Sequence, residues 1–398
     1  MLSIDEQLKI IKKRTLEIIN EDELIEKLKK GRPLNVKLGV DPTSPDIHLG
    51  HTVVLNKLRD FQILGHQIIL IIGSGTAVIG DPSGRDKTRS LLTIDEIERN
   101  AKYYSEQAFK ILDKEKTIIR FNGDWLLNLT LKDLVSLSSH FTIARILERD
   151  DFFNRYKSGS PIYLHEFFYP VMQAYDSIVI DADIELGGSD QKFNLLCGRE
   201  LQKELGKEEQ IAILMPILRG IDGEKRMGKS LGNYIGINEN PKEMFGKIMS
   251  IPDHLIIEYF ELLTDISPKE IEEYKIKMEE GENPMKYKLR LAKEIVARYH
   301  SKEAADKEEE DFIKVFSKKE IPEEVETFFV DSDEINLIDF LKEKNIVSSK
   351  SEGRRIFEQG GIYVNNERFS DSSLKVKIDK EVIIKVGKRK FIKVIKND

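Results

Sequence analysis

Lys37-Leu38-Gly39-Val40-Asp41-Pro42-Thr43-Ser44-Pro45-Asp46-Ile47-His48-Leu49-Gly50-His51 joins an apolar run to a Pro-rich turn, then to a helical pattern through Val53, Val54, Leu55 and Leu58. This reads as a strand, a turn and a helix N-terminus. The free N–H groups and positive dipole end of such a terminus attract an anion. His48 and His51 stand three apart, so both rings share one face of the first turn. Gly50 removes a side chain where a ligand comes close. Imidazoles placed there suit a polyphosphate. Taken alone, the pair reads more readily as capping or core histidines, and the rest of the chain decides.

Working outward, residues 1–30 read as charged amphipathic helix, ended by Gly31-Arg32-Pro33. Residues 67–72 open on Gln67 and continue as an aliphatic run, as in a strand buried on both faces. They lead into Gly73-Ser74-Gly75-Thr76 and then Gly80-Asp81-Pro82-Ser83-Gly84-Arg85. Thr93 with Glu96 forms a capping box for the next helix, and residues 117–121 read as another strand. Strand, helix, strand and glycine-rich loop in close succession predict a Rossmann-like, doubly wound parallel α/β domain over residues 1–235. Ligands in such sheets bind beyond the carboxyl ends of the strands. Both the histidine pair and the Gly80–Arg85 loop fall there.

Residues 122–175 are mostly helical and aromatic, an insertion between the two halves of the sheet. Their apolar character marks them as the expected contact of a homodimer. Residues 184–186 lead to Gly187-Gly188-Ser189-Asp190-Gln191, and residues 211–218 form the last strand. Residues 236–320 read as all-α, with Pro284 at a first helical position. Residues 321–334 read as an acidic linker. Residues 335–398 show two helices and then short strands, a small α+β domain.

At 398 residues the chain is long enough for two or three domains. Its net charge is −7 but is unevenly placed. Residues 335–398 hold 15 Lys and Arg against 9 Asp and Glu, a net of +6, which leaves −13 on the remainder. A basic tail on an acidic body points to a polyanionic partner. The single cysteine, Cys197, excludes an intrachain disulfide and a cysteine-based metal cluster. No apolar run reaches membrane-spanning length, and the charged start lacks a secretory apolar block. These features predict a cytoplasmic protein with no membrane association.

The stretch Gly223-Glu224-Lys225-Arg226-Met227-Gly228-Lys229-Ser230 places three cations in five positions, followed by a hydroxyl. Mobile cations suit a phosphate whose geometry changes during reaction. The spacing is not that of a P-loop. Together, three features resemble the class I aminoacyl-tRNA synthetases. They are Asp41-Pro42-Thr43, His48-Leu49-Gly50-His51 and Arg226-Met227-Gly228-Lys229-Ser230. Tyr169-Pro170-Val171-Met172-Gln173-Ala174-Tyr175-Asp176 and Gly188-Ser189-Asp190-Gln191 narrow the resemblance to the tyrosyl-tRNA synthetases, in their second bacterial subfamily. The tail, with Lys350, Arg354, Arg355 and Gln359-Gly360-Gly361-Ile362-Tyr363-Val364-Asn365, is similar to S4 RNA-binding domains.

The resemblance implies a tyrosine–tRNA ligase. Such an enzyme activates L-tyrosine with ATP to tyrosyl-adenylate plus pyrophosphate, then transfers the tyrosyl group to the 3′ end of tRNA(Tyr). Mg²⁺ travels with ATP and no dedicated protein metal site is expected. By resemblance, His48, His51, Thr43, Arg226 and Lys229 act on the phosphates during reaction. Asp41, Gly50, Asp190, Met227, Ser230, Arg85 and Arg89 bind ATP. Lys37, Gly39, Asp81, Tyr169, Gln173, Asp176 and Gln191 bind tyrosine, with Asp176 accepting from the phenol. Lys350, Arg354 and Arg355 contact RNA. A pocket built to hydrogen-bond a hydroxyl rejects the analogue lacking it by about 10⁴–10⁵, and tyrosyl enzymes are themselves the known case.

Two positions depart from the family pattern. Lys37 stands where many members carry a tyrosine that donates to the phenol; an ammonium there either donates to the phenol in its place or turns away from it. Arg226 replaces a lysine, which keeps the charge but not the geometry. Two rivals are weighed: a tryptophan-specific relative, disfavoured by Asp176 and the tail, and a non-catalytic RNA-binding paralogue, disfavoured by His48, His51 and Lys229.

Overall fold

The computed structural model describes residues 2–42, 46–78, 93–317, 325–365, 367–371, 373–378, 380–387 and 390–397. It divides into two compact units, Met1–Asp306 and Lys307–Asp398. The first is built on one sheet of β1 (Glu17–Ile19), β2 (Asn35–Val40), β3 (Gln67–Ile72), β4 (Thr117–Phe121), β5 (Ile184–Gly188) and β6 (Ile211–Met215). The spatial order is β1-β6-β5-β2-β3-β4. Strands β2 to β6 run parallel, and β1 joins β6 antiparallel at the edge. The chain moves outward from β2 through β3 to β4, then returns to β5 on the other side of β2. That reversal opens a crevice at the carboxyl ends of β2 and β5, where open α/β sheets bind ligands.

Residues 1–30 are not one helical stretch. They form α1 (Ile4–Lys12), then β1, then α2 (Glu21–Lys29). Arg14 makes the break, with φ +63° and a buried guanidinium donating to Thr264 O and Asp265, each at 2.6 Å. The β-branched pair Ile18-Ile19 then suits an edge strand better than a helix.

Next comes α3 (Leu49–Ile63), which carries the histidine pair at its start, and α4 (Ile94–Ala108). Lys57 of α3 is fully buried, with Nζ donating to Ile10 O at 3.1 Å and Ile11 O at 2.8 Å. It satisfies the carboxyl end of α1 and locks α3 to it. Burial pushes this amine down to about 8. The stretch between β4 and β5 holds α5 (Gly123–Leu126), α6 (Leu131–Ser138), α7 (Ile143–Ile146), α8 (Asp150–Ser158) and α9 (Phe168–Val179). After β5 comes α10 (Lys192–Glu204), packed along α9.

Then follow α11 (Pro241–Met249), α12 (Ile256–Leu263), α13 (Pro268–Glu279), α14 (Pro284–Tyr299) and α15 (Lys302–Ser317). This helical region belongs to the same compact unit as the sheet through Asp306. The reason is packing: α12 lies on α3, and Asp265 accepts from Arg14 and Arg298 and pairs with Arg59 of α3.

The second unit holds β7 (Glu326–Val330), β8 (Glu334–Asn336), α16 (Leu337–Glu343), α17 (Lys350–Glu358) and β9 (Ile362–Val364). It continues with β10 (Glu367–Arg368), β11 (Lys375–Lys377), β12 (Glu381–Val386) and β13 (Lys390–Lys396). A five-stranded sheet of order β10-β9-β12-β13-β7 packs a core that includes Leu337, Leu341, Ile362, Ile384 and Val394. The expected linker at 321–334 is therefore corrected. Its run Thr327-Phe328-Phe329-Val330 is strand β7, parallel to β13. The acids around it suggested solvent, but four strand-forming residues in a row prevail.

Candidate active site

Strand β2 ends in Gly39-Val40 and leads into Asp41, and a cavity of about 240 Å³ opens there. That lies below the roughly 300–1,000 Å³ of drug-sized ligand sites and suits a single amino acid. Its lining includes Gly39, Asp41, His51, Thr76, Asn122, Tyr169, Gln173, Asp176, Gly188 and Gln191. A Cβ on Gly39 would meet nothing within 4 Å, so this strand residue faces open space.

Asp176 on α9 is 3% exposed. It accepts from Trp125 Nε1 at 2.8 Å and Asn122 Nδ2 at 3.1 Å. Burial pushes its carboxyl up to about 6, against the pull of Lys37 and the two donors. Asn122 also donates to Thr76 Oγ1 at 3.3 Å, and Thr76 donates to Asp41 Oδ1 at 2.9 Å. Tyr169 donates its hydroxyl to Asp41 Oδ2 at 2.9 Å. One hydrogen-bond chain thus ties Asp176 to Asp41 and Tyr169. Fully satisfied buried networks of this kind fix geometry.

Asn122, Trp125 and Thr76 were not foreseen. The available signal was position: Asn122-Gly123-Asp124-Trp125 follows β4 at its carboxyl end, the ligand side of the sheet.

Lys37 differs from expectation and is corrected. It is 0% exposed and is not part of the cavity lining. Its Nζ donates to Gln173 O and Ser177 Oγ, each at 2.8 Å, and pairs with Glu185 Oε1 at 2.9 Å. An ammonium has three N–H donors, and all three are used. Lys37 therefore has none left for a phenol.

At the start of α3, Gly50 N donates to His48 Nδ1 at 3.2 Å and His48 N donates to His51 Nδ1 at 3.3 Å. Both Nδ1 atoms accept, so the network assigns the protons to the Nε2 atoms, which become donors. The rings stack 3.8 Å apart. Burial, helped by the neighbouring ring and Lys229, pushes His48 down to about 2. Burial and Lys229 push His51 down to about 4. Both imidazoles are neutral at pH 7. A Cβ at Gly50 would lie 3.0 Å from the His48 ring, which would have to give way slightly, and 3.5 Å from Met227 Cβ, an ordinary contact.

The cationic loop is held against this helix start. Leu49 N donates to Ile235 O at 2.9 Å and Ile237 N to Ile47 O at 3.0 Å, around a bridge between His48 and Gly236. Asn233 accepts from Gly228 N at 2.9 Å and donates to Asp222 and to Arg226 O. Met227 is buried, while Lys229 and Ser230 sit in a turn at Lys229–Leu231. Lys229 Nζ pairs with Asp46 Oδ2 at 3.0 Å. Arg226 pairs with Asp190 Oδ2 at 3.4 Å. The fold therefore brings His48, His51, Gly50, Met227 and Lys229 together beside the cavity. Thr43, Asp81, Arg85 and Arg89 lie outside the described residues. Among the described residues, no group of three His, Cys, Asp or Glu side chains is arranged to hold a metal ion. In the second unit, Lys350, Arg354 and Arg355 are exposed on α17, and Lys350 pairs with Asp339 at 2.7 Å.

Comparison with known proteins gives the family. Residues 29–317 match a family model described as tRNA synthetases class I (W and Y). Residues 317–394 match a model described as the tyrosine–tRNA ligase SYY-like C-terminal domain. The chain is 56% identical to a tyrosine–tRNA ligase of Carboxydothermus hydrogenoformans, covering 98% of this chain and 97% of that one. It is 54% identical to one from Thermotoga maritima, covering 98% and 97%. Among solved structures, a tyrosyl-tRNA synthetase of Archaeoglobus fulgidus complexed with L-tyrosine shares the fold. Its TM-score is 0.64 at 24% identity, over 77% of this chain and all of that one. With two family models and near full-length relatives in agreement, the chain belongs to the class I tRNA synthetases of the tryptophan and tyrosine group, as a member of the tyrosine–tRNA ligase family.

Proposed function

We propose that the cavity beside β2 holds L-tyrosine and that the surface formed by the start of α3 and the Arg226–Ser230 loop holds ATP. One observation carries this: a buried acid, Asp176, supports an amino-acid-sized cavity that adjoins two neutral histidines and a loop lysine. The substrate phenol donates to Asp176, which Trp125 and Asn122 hold in place. Tyr169, Gln173 and Gln191 serve the amino-acid end. Gly50 lets the nucleotide approach, and Asp190 and Asp41 lie along it.

The chemistry needs no catalytic base, because the tyrosine carboxylate is already a nucleophile. It attacks the α-phosphorus of ATP and pyrophosphate leaves, so the barrier is one of charge and positioning. Neutral His48 and His51 donate Nε2–H to phosphate oxygens as charge moves onto them. Lys229 and Arg226 exchange Asp46 and Asp190 for the pyrophosphate. Preorganised donors of this kind are worth about 10²–10³ in rate each. Mg²⁺, where present, rides on the ATP phosphates. In the second step a ribose hydroxyl of tRNA attacks the carbonyl of tyrosyl-adenylate, the acyl–phosphate bond breaks, and AMP leaves with the electron pair as the hydroxyl proton is released.

Lys350, Arg354 and Arg355 on α17 are assigned to tRNA, in line with the net positive charge of the tail. The exposed apolar side chains Leu127, Leu131, Val135 and Ile143 are assigned to a homodimer contact, since an apolar surface of this kind marks an interaction site. No helix among the described residues is long and apolar enough to cross a membrane, and the cytoplasm is the proposed location. ATP–pyrophosphate exchange with tyrosine, phenylalanine and tryptophan tests the function. Tyrosine-dependent exchange is expected, and its absence from pure folded protein sinks the proposal.

A further inference from the structure

Lys37 and Glu185 are directly opposite each other on adjacent parallel strands, β2 and β5, and both are 0% exposed. The pair is densely bonded. Glu185 Oε1 receives Lys37 Nζ at 2.9 Å and Gln173 Nε2 at 3.0 Å. Its Oε2 receives Ser177 Oγ at 3.3 Å and Gln210 Nε2. Lys37 adds Gln173 O and Ser177 Oγ. Gln173 and Ser177 are one turn apart on α9, and Asp176 lies between them. Gly39, two residues along β2 from Lys37, is on the same face of the strand and lines the cavity.

On the assignment of that cavity to tyrosine, we propose that the Lys37–Glu185 pair is the positioning element of the pocket, pinning α9 to β2 and β5 and so selecting tyrosine through Asp176 and Gln173 without touching the phenol. A polar pair buried this completely is poor value as stability alone, because desolvation offsets most of the attraction. It is explained by what it holds. Four hydrogen bonds join the pair to a single turn of α9, the turn that carries both substrate-facing side chains.

The pair also shapes the field at Asp176. The charged and polar groups that act on it are Lys37 from β2, Glu185 from β5, and the donors Asn122 and Trp125. Arg120 of β4 lies over the Trp125 ring at 5.4 Å. Asp41, His51, Tyr104 and Tyr169 line the same cavity. Lys37 favours the ionised form of Asp176 and Glu185 disfavours it, with Lys37 the stronger. Removing Glu185's charge alone therefore moves Asp176 down, and removing both charges moves it up.

The test uses the full chain and three proteins: wild type, Glu185→Gln, and Lys37→Met combined with Glu185→Gln. Tyrosine-dependent and phenylalanine-dependent exchange are measured from pH 5 to 8.5. In the double variant the tyrosine KM is expected to rise about tenfold, one pKa unit's worth of interaction. The ATP KM and kcat stay within about twofold, and the preference for tyrosine over phenylalanine falls. The acid midpoint of kcat/KM for tyrosine moves down in Glu185→Gln and up in the double variant, a pair of opposite shifts that a merely structural role does not produce. If the double variant does not fold, the near-isosteric Glu185→Gln decides alone through its tyrosine KM, read against an unchanged ATP KM. A folded variant with unchanged tyrosine KM and midpoint overturns the positioning role while leaving the functional assignment intact. A wild type without tyrosine-dependent exchange overturns that assignment, and this proposal with it.

Discussion

Asp176→Asn is expected to trade activity for stability, with a sign that depends on pH. In the folded chain the Asp176 carboxyl is pushed up from 3.8 to about 6, chiefly by burial. The native state therefore holds a proton between about pH 4 and 6 that the unfolded chain has released. Stability falls with rising pH wherever the native state binds more protons. The full effect is about 3 kcal/mol at 1.36 kcal/mol per pKa unit, of which about 2.5 kcal/mol is lost between pH 4 and 7. An asparagine does not titrate, so the variant escapes that loss. It has a fixed cost instead. Its NH₂ must face either Asn122 Nδ2 or Trp125 Nε1, leaving one buried donor without an acceptor, at about 1–2 kcal/mol.

The sum predicts a crossing. Asp176→Asn is less stable than wild type at pH 4 and more stable by about 1–2 kcal/mol at pH 7, following these two magnitudes. The depressed His48 and His51 work in the opposite direction, costing stability as pH falls below 6.5. They do so equally in both proteins and cancel in the difference. Urea unfolding followed by fluorescence is the assay. Trp125 is the chain's single tryptophan and bonds Asp176 directly, so the signal reports on this unit. A stability difference that stays flat from pH 4 to 7 refutes the reasoning. In the same variant kcat/KM for tyrosine is expected to fall about 10²-fold, the worth of a hydrogen bond to a charged acceptor.

Lys229→Ala should reduce exchange kcat by about 10²–10³ while tyrosine KM stays within about twofold, because its donor acts on the departing phosphates; an equal loss in tyrosine binding contradicts that role. Truncation after Ser317 should leave tyrosine activation intact but cut tRNA charging, and only the full chain should lose charging steeply as salt rises; unimpaired charging by the truncated protein argues against the tail assignment. The cut belongs there rather than at Ile335, since a later cut strands β7 without its partner β13. Leu131→Glu places a charge on a side chain that is 78% exposed, so monomer stability should change by less than about 0.5 kcal/mol. Sedimentation should nonetheless show dissociation, and an undisturbed dimer moves the interface elsewhere.

The sheet was legible because burial leaves a simple mark. Residues 68–72 are aliphatic because both faces of β3 are covered there, and the Pro-rich turn after β2 and the glycine-rich turn after β3 mark the ligand edge. What escaped is where local pattern and tertiary contact disagree. Residues 1–30 carry helical periodicity, yet Arg14 turns the chain to reach Asp265, a residue some 250 positions away. No window of sequence contains both. β7 was hidden for the same reason: its partner β13 lies at the far end of the unit.

The site shows the limit more sharply at Lys37. Family pattern places a phenol donor there, and an ammonium is a donor, so substitution of one for the other looks chemically reasonable. The missing fact was Glu185. In sequence it sits within Ile184-Glu185-Leu186, an apolar strand where an acid looks like an irregularity. Two unexplained charges of opposite sign, on two strands that the doubly wound topology makes neighbours, are one explanation of each other. A charge buried in a parallel strand needs a partner, and the nearest place to find it is the register position across the ladder. By that rule the sequence alone pairs Lys37 with Glu185 and withdraws Lys37 from the substrate. It also leaves Asp176's donors to be sought at the carboxyl end of β4, where Asn122 and Trp125 stand.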